Sequence, residues 1–266
     1  MVLLRFPAGF RAVYVRGGVN RPIFFLLLLL LPVFSWAADS LKNCTQLIVG
    51  QAENWDASSG SLWLCERDAA GKPWRVVTAP VPVLFGKNGL AWGRGVIGTD
   101  EPGRSKVEKD KRAPAGIFEI GKIYGYDPVL PDGASFPFHQ VGKGDAWIDD
   151  PTLPEYNRHV VVEASNPPPW FEKQKMRHGD FAYRWLVEIR HNSGPIIPGA
   201  GSAIFFHIRR GPSKPSAGCT TMAEADLLKL IRWLRKERHP HYALLPQSEY
   251  LARWKGLGLP AQDHLR

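Results

Sequence analysis

Acidic side chains are scarce in this chain. Asp and Glu number 25 against 34 Lys and Arg, a formal net charge of +9, and no acid precedes Asp39. So basic a surface favours anionic partners, yet no nucleic-acid motif accompanies the charge, and nucleic acid is not expected as a partner. Cysteine is rarer still: the three residues Cys44, Cys65 and Cys219 are too few for a disulfide framework. Internal repeats, linkers long enough to split the chain, and low-complexity tracts beyond the first residues are absent. With 44% hydrophobic residues in 266 positions, the chain can still bury a sizeable core.

The one long apolar run is Ile23 to Phe34. Arg5, Arg11, Arg16 and Arg21 precede it, and Ser35 and Ala37 follow at small-residue positions, so residues 1–37 are expected to be a secretory signal cut after Ala37. The alternative is a retained anchor, although the run is short for about 30 Å of hydrocarbon. Cleavage would remove four arginines and leave +5, with no stable membrane span. Outside the cytoplasm the anionic partners of a basic protein are wall polymers, lipid headgroups and carboxylate-bearing peptides. In that oxidising setting Cys44 and Cys65, which flank two strand-like runs joined by D-A-S-S-G, are expected to bridge and to leave Cys219 free.

Residues 38–266 read as a single, mainly β domain. Strand-like runs occur at Gln46–Val49, Ser61–Leu64, Trp74–Val77, Val81–Leu84, His159–Glu163, Tyr183–Arg190 and Ala203–Ile208. Gly93 to Lys122 is a long polar, Gly-rich stretch closing on another strand, and the charge run Lys106 to Arg112 within it reads as a solvated face. The proline-dense stretch from Pro128 to Arg177 is expected to make an irregular excursion over one face. Leu227, Leu230, Ile231 and Leu234 recur at helical spacing, with Thr221 and Glu224 set as a capping box and Pro240 closing the helix. His239-Pro240-His241 lacks a companion carboxylate cluster, and no metal site is expected. The tryptophans read as core and interface residues.

The chemistry concentrates in A-I-F-F-H-I-R-R-G-P-S-K-P-S-A-G-C-T-T-M, Ala203 to Met222. Alternation places Phe205 and His207 on one face of a strand, with Ile204, Phe206 and Ile208 on the other. Cys219 follows in a loop just ahead of the expected helix, where the helix N-terminus and Arg209, Arg210 and Lys214 would favour its thiolate. Gly218 lets the backbone pass close to a substrate carbonyl, and amides around Gly218 to Thr220 could face an oxyanion. A Cys and His pair joined by a loop fits an activated thiol nucleophile, with the imidazole expected within about 4 Å of the sulfur.

His207, Ser216, Gly218, Cys219 and Thr220 resemble the signature of the YkuD-type L,D-transpeptidase family, in which a strand ends in His and a loop leads to Ser-x-Gly-Cys. R-A-P-A-G-I-F, Arg112 to Phe118, is similar to that family's Thr-Pro-x-Gly-x-Phe segment, and the likeness runs over 88–234. The resemblance implies a β-rich, sandwich- or barrel-like catalytic fold with a few helices, residence in the periplasm or wall, no cofactor, and acyl transfer between peptidoglycan stem peptides through a cysteine thioester. It gives Cys219 the nucleophile's place and His207 the base's, with Ser216 and Gly218 in the same signature. Lys106, Arg112, Arg209, Arg210 and Thr220 are candidates for holding substrate. Ala217 stands where most members carry a second His, and Thr221 where they carry a basic or amide residue. These departures mark a divergent branch whose donor could be the alanyl carbonyl at the first stem position rather than diaminopimelate. Hydrolysis at the same site, or a wall-binding module without catalysis, are the alternatives.

Overall fold

The computed structural model describes residues 41–98 and 101–265, all within one compact unit; the expected leader lies outside the described residues. Thirteen strands are present in this part of the chain: β1 (Gln46–Ala52), β2 (Ser59–Glu66), β3 (Arg75–Val76), β4 (Val81–Leu84), β5 (Leu90–Trp92), β6 (Ala113–Gly125), β7 (Phe138–Gln140), β8 (Asp145–Trp147), β9 (His159–Val161), β10 (Trp185–Ile189), β11 (Phe205–Ile208), β12 (Thr220–Met222) and β13 (His241–Pro246). Three short α-helices accompany them, α1 (Phe171–Gln174), α2 (Glu224–Trp233) and α3 (Gln247–Arg253). The protein is mainly β, and no helix among the described residues is long and apolar enough to cross a membrane.

Eight staves follow in the order β1, β13, β6, β10, β11, β12, β4 and β2, and β2 pairs back onto β1 to close the sheet into a barrel. Closure leaves no edge among these eight. Alternation sends Phe206 and Ile208 of β11, Val187 of β10 and Tyr242 and Leu244 of β13 into the main core, where the Phe206 and Tyr242 rings lie 4.7 Å apart. The opposite face of β10 and β11 carries a second cluster, Tyr124, Val141, Met176, Leu186 and Phe205, against which Cys219 packs. The Pro-rich excursion covers this outer face: its two-stranded sheet, β8 with β9, sets Trp147 edge-on to Phe205 at 4.8 Å.

Several expectations are corrected. β6 runs unbroken for 13 residues through Pro114 and Gly116 because β5 pairs beside Pro114 and Gly116 takes φ +141°, close to the Ile97 carbonyl. The charge run is solvated at Lys109 and Lys111 as expected, but Lys106 turns inward and is buried against Asp110 at 2.7 Å. Thr221 belongs to β12, with its hydroxyl 3.5 Å from the Leu84 carbonyl, so the capping box does not form; Ala223 caps α2, which ends at Trp233 well before Pro240. Cys44 and Cys65 are free, buried thiols. The β1–β2 register pairs Cys65 with Leu47, three positions beyond Cys44, and the Cys44 thiol donates to the Gln46 carbonyl at 3.0 Å.

Candidate functional site

β11 and β12 are parallel neighbours, so the loop between them must carry the chain from the end of β11 back to the start of β12. That return delivers Cys219 beside Phe205, one position ahead of the Phe206–Thr220 pair. The Cys219 sulfur accepts from the Phe205 amide at 3.4 Å and lies 3.4 Å from the Ala203 carbonyl.

Ser216 pins the loop. Its amide donates to the Phe85 carbonyl and its carbonyl accepts from the Lys87 amide, both at 2.9 Å. Its hydroxyl accepts from the Gly218 amide at 3.0 Å and donates to the Cys219 carbonyl at 2.5 Å. Gly218 sits at φ +150°, and a Cβ there would meet the Arg112 carbonyl at 3.0 Å, so glycine is required for both conformation and approach. Because its N–H is spent on Ser216, Gly218 is not an oxyanion donor here; the Cys219 amide, just outside the ladder, is the nearest alternative.

His207 shares the outer face with Phe205, as alternation predicts, but lies two positions further along, roughly 6.6 Å of strand rise. The return of the loop to the start of β11 explains why the thiol bonds to Phe205 and Ala203 and not to this imidazole. The His207 Nδ1 lies 2.8 Å from the Ile208 carbonyl. A carbonyl only accepts, so Nδ1 carries the proton and Nε2 is the basic nitrogen of the neutral ring. The ring is edge-on to Tyr183 at 5.1 Å. Burial lowers the His207 pKa to about 4, against the pull of the Ile208 carbonyl.

Burial also pushes the Cys219 thiol up to about 11, opposed by the Phe205 amide and by the positive charges of Lys106 and Arg210. The thiolate expected from a helix N-terminus is therefore absent at rest: β12 intervenes between Cys219 and α2, which removes the helix dipole from the sulfur. Lys106 acts from behind the loop, where a Cβ on Gly218 would lie 3.7 Å from its ammonium.

Cys219 opens on a cleft of about 150 Å³. Trp147, Met176, Leu186 and Phe205 form its apolar wall, and Asp149, Lys173, Lys175, His178 and Tyr183 line it as well, with Lys175 already paired to Glu172 at 2.7 Å. Arg210 stands nearby, stacked 4.8 Å over Tyr183 and paired with Asp180 at 2.5 Å. Arg209 is half-buried, its amide donating to the Met222 carbonyl. Two candidates have other partners: Arg112 reaches the Leu90 carbonyl at 3.0 Å and Asp56 at 3.1 Å, and the buried Thr220 hydroxyl meets the Tyr242 hydroxyl at 3.1 Å. Neither side chain is offered to the cleft.

Sequence reasoning missed Lys173, Lys175 and Trp147, because the excursion that carries them has no periodic pattern to place it. It also missed the buried His191, whose Nδ1 accepts from the Arg94 amide at 3.1 Å and whose Nε2 donates to the Ala200 carbonyl at 3.0 Å. His239 and His241 do not converge as a pair; the His241 ring, in β13, bonds the His239 carbonyl at 2.8 Å.

A family model described as the YkuD L,D-transpeptidase catalytic domain matches residues 55–241, well over half of the chain and inclusive of the whole cleft around Cys219. No curated protein and no solved structure gives a match.

Proposed function

The chain belongs to the YkuD family of L,D-transpeptidase catalytic domains, and from that premise we propose that it is a periplasmic cysteine acyltransferase acting on peptidoglycan stem peptides, with Cys219 as nucleophile. The observation that carries this reading is a free thiol opening on a cleft with one apolar wall and two lysines among its lining residues. The apolar wall holds the peptide's aliphatic stem. Lys173 on the cleft meets its carboxylates, and Lys175 and Arg210 can join it by exchanging Glu172 and Asp180 for the substrate.

With a stem bound, the His207 side chain approaches the sulfur, as catalytic contacts often tighten only in the complex. Nε2 takes the thiol proton while the sulfur forms a bond to the stem carbonyl carbon, and the Cys219 amide faces the resulting oxyanion. Collapse breaks the carbon–nitrogen bond, and the leaving amine takes the proton from the imidazolium. An acceptor amine then attacks the thioester, its proton passes to His207, and the carbon–sulfur bond breaks as the imidazolium returns that proton to the sulfur and restores the thiol. Ala217 and Thr221 depart from the residues most members carry beside the nucleophile, and the donor proposed for this branch is the alanyl residue at the first stem position.

Incubating the purified protein with defined muropeptides and sequencing the products by mass spectrometry tests this directly. Cross-linked dimers joined through the first-position alanine support the full reading, and dimers joined through diaminopimelate correct the donor. Shortened stems alone would identify a hydrolase, and unchanged muropeptides that nevertheless bind would identify a wall-binding module.

A further inference from the structure

Three side chains on separate strands converge away from the thiol. The Nε2 atoms of His139 in β7 and His159 in β9 both lie 2.5 Å from Asp145 Oδ1 in β8, and the three candidate ligand atoms are all within 4.8 Å of one another. The group is held in place around its edge. The other Asp145 oxygen accepts from the Gly142 amide at 2.7 Å, and the Tyr124 ring packs against His139 and His159 at 5.8 and 5.1 Å. The Asp145 side chain is 5% exposed, whereas His139 is 32% exposed, so the group has a closed floor and one side open to water.

From this geometry we infer a divalent transition-metal site, with His139 Nε2, His159 Nε2 and Asp145 Oδ1 as ligands to zinc and water at the open fourth position. Two imidazoles and one carboxylate are a donor set that suits zinc, and three protein ligands with one open position is a common zinc arrangement. A tetrahedral ion with bonds of about 2.0–2.2 Å holds its ligand atoms roughly 3.3 Å apart. The two nitrogens therefore need to draw back from Asp145 by under about 1 Å and, at up to 4.8 Å apart, to close on each other by up to about 1.5 Å, which rotation of the two imidazole side chains can supply. Each ring gives its Nε2 lone pair to the metal, with its N–H proton carried on Nδ1.

The location gives the ion a structural purpose. β7 pairs with β6 of the barrel, whereas β8 and β9 form the separate two-stranded sheet. An ion bound between them fastens that sheet to the barrel two residues from Trp147, the wall of the cleft that touches Phe205. Neither the ligand set nor this purpose depends on the reaction at Cys219.

The test is metal titration of the purified protein in a Cys219→Ser background, so that the reactive thiol does not compete. Zn2+ measured against a chromophoric chelator should bind one per chain, and Co2+ should give the visible absorption of a four-coordinate centre with nitrogen and oxygen ligands. His139→Ala and His159→Ala, each checked for folding by circular dichroism, should weaken binding by more than the roughly 10–100-fold that loss of an outer-shell partner costs. Should either variant fail to fold, the Co2+ form of the parent protein still decides: its paramagnetically shifted proton resonances should include those of two imidazoles. Stoichiometric binding unchanged in the folded variants, shifted resonances lacking imidazole, or no binding by the parent protein would each overturn the site.

Discussion

A Cys219 thiol near pKa 11 and a His207 imidazole near 4 are both uncharged at neutral pH, so the resting pair is thiol and imidazole rather than an ion pair. Activation is then tied to substrate entry, which spares the thiol from oxidation while the site is empty. Alkylation by iodoacetamide should therefore be slower for Cys219 than for free cysteine at pH 7, and its rate should keep rising beyond pH 9. A plateau reached by pH 7 would show a preformed thiolate and contradict the burial argument. Cys44 and Cys65, both pushed by burial to about 12, should react only after unfolding. Denatured, unreduced protein should give three titratable thiols, and a count of one would restore the bridge. The common face of Phe205 and His207 was legible in the sequence because strand alternation fixes it. The protonation of Cys219 and His207 was not, since desolvation depends on the excursion that covers them.

Among the elements, the β11–loop–β12 unit carries the site, and Ser216 holds it through five contacts with backbone groups. Ser216→Ala should leave the thermal midpoint within a few degrees, because the two main-chain bonds to the 85–87 segment persist. Its kcat should fall by about 10²-fold with little change in KM, the expected cost of a misplaced nucleophile. Ser216→Thr should restore part of the loss. Equal activity in Ser216→Ala would reduce the hydroxyl to a bystander. β1, β2, β4 and β11 were readable because each holds a short, β-rich apolar run punctuated by turn residues. β13 was hidden by its nearness to a helix and by the reading of Pro240 as a terminator. The capping box failed because Thr221 is drawn into β12 by the parallel ladder, a tertiary demand that no local motif reports.

For the whole molecule, burial of neutral histidines links stability to pH. His191 is lowered to about 3 and His207 to about 4, both chiefly by desolvation. Unfolding releases both rings to an ordinary pKa of about 6.5, where they bind protons more readily than in the fold. Their contribution is complete above about pH 6.5 and is lost as pH falls through the folded values, a change of the order of a few kcal/mol. The unfolding midpoint should drop steadily from pH 6.5 to 4, and His191→Gln should flatten that slope; a flat wild-type profile would contradict the assignment. The barrel itself was legible only as a mainly β domain. Its closure depends on β1 pairing with both β2 and β13, and the latter contact joins the two ends of the described chain.

The central claim is that acyl groups pass through Cys219. Intact-mass and peptide-level mass spectrometry of the protein quenched in acid during reaction with a defined stem-peptide donor measures that passage directly. The account predicts an added acyl mass on the peptide containing Cys219 in wild-type protein, with neither adduct nor cross-linked product from folded Cys219→Ala. Cross-linking by Cys219→Ala at the wild-type rate, or an acyl adduct mapped to another residue, would contradict it.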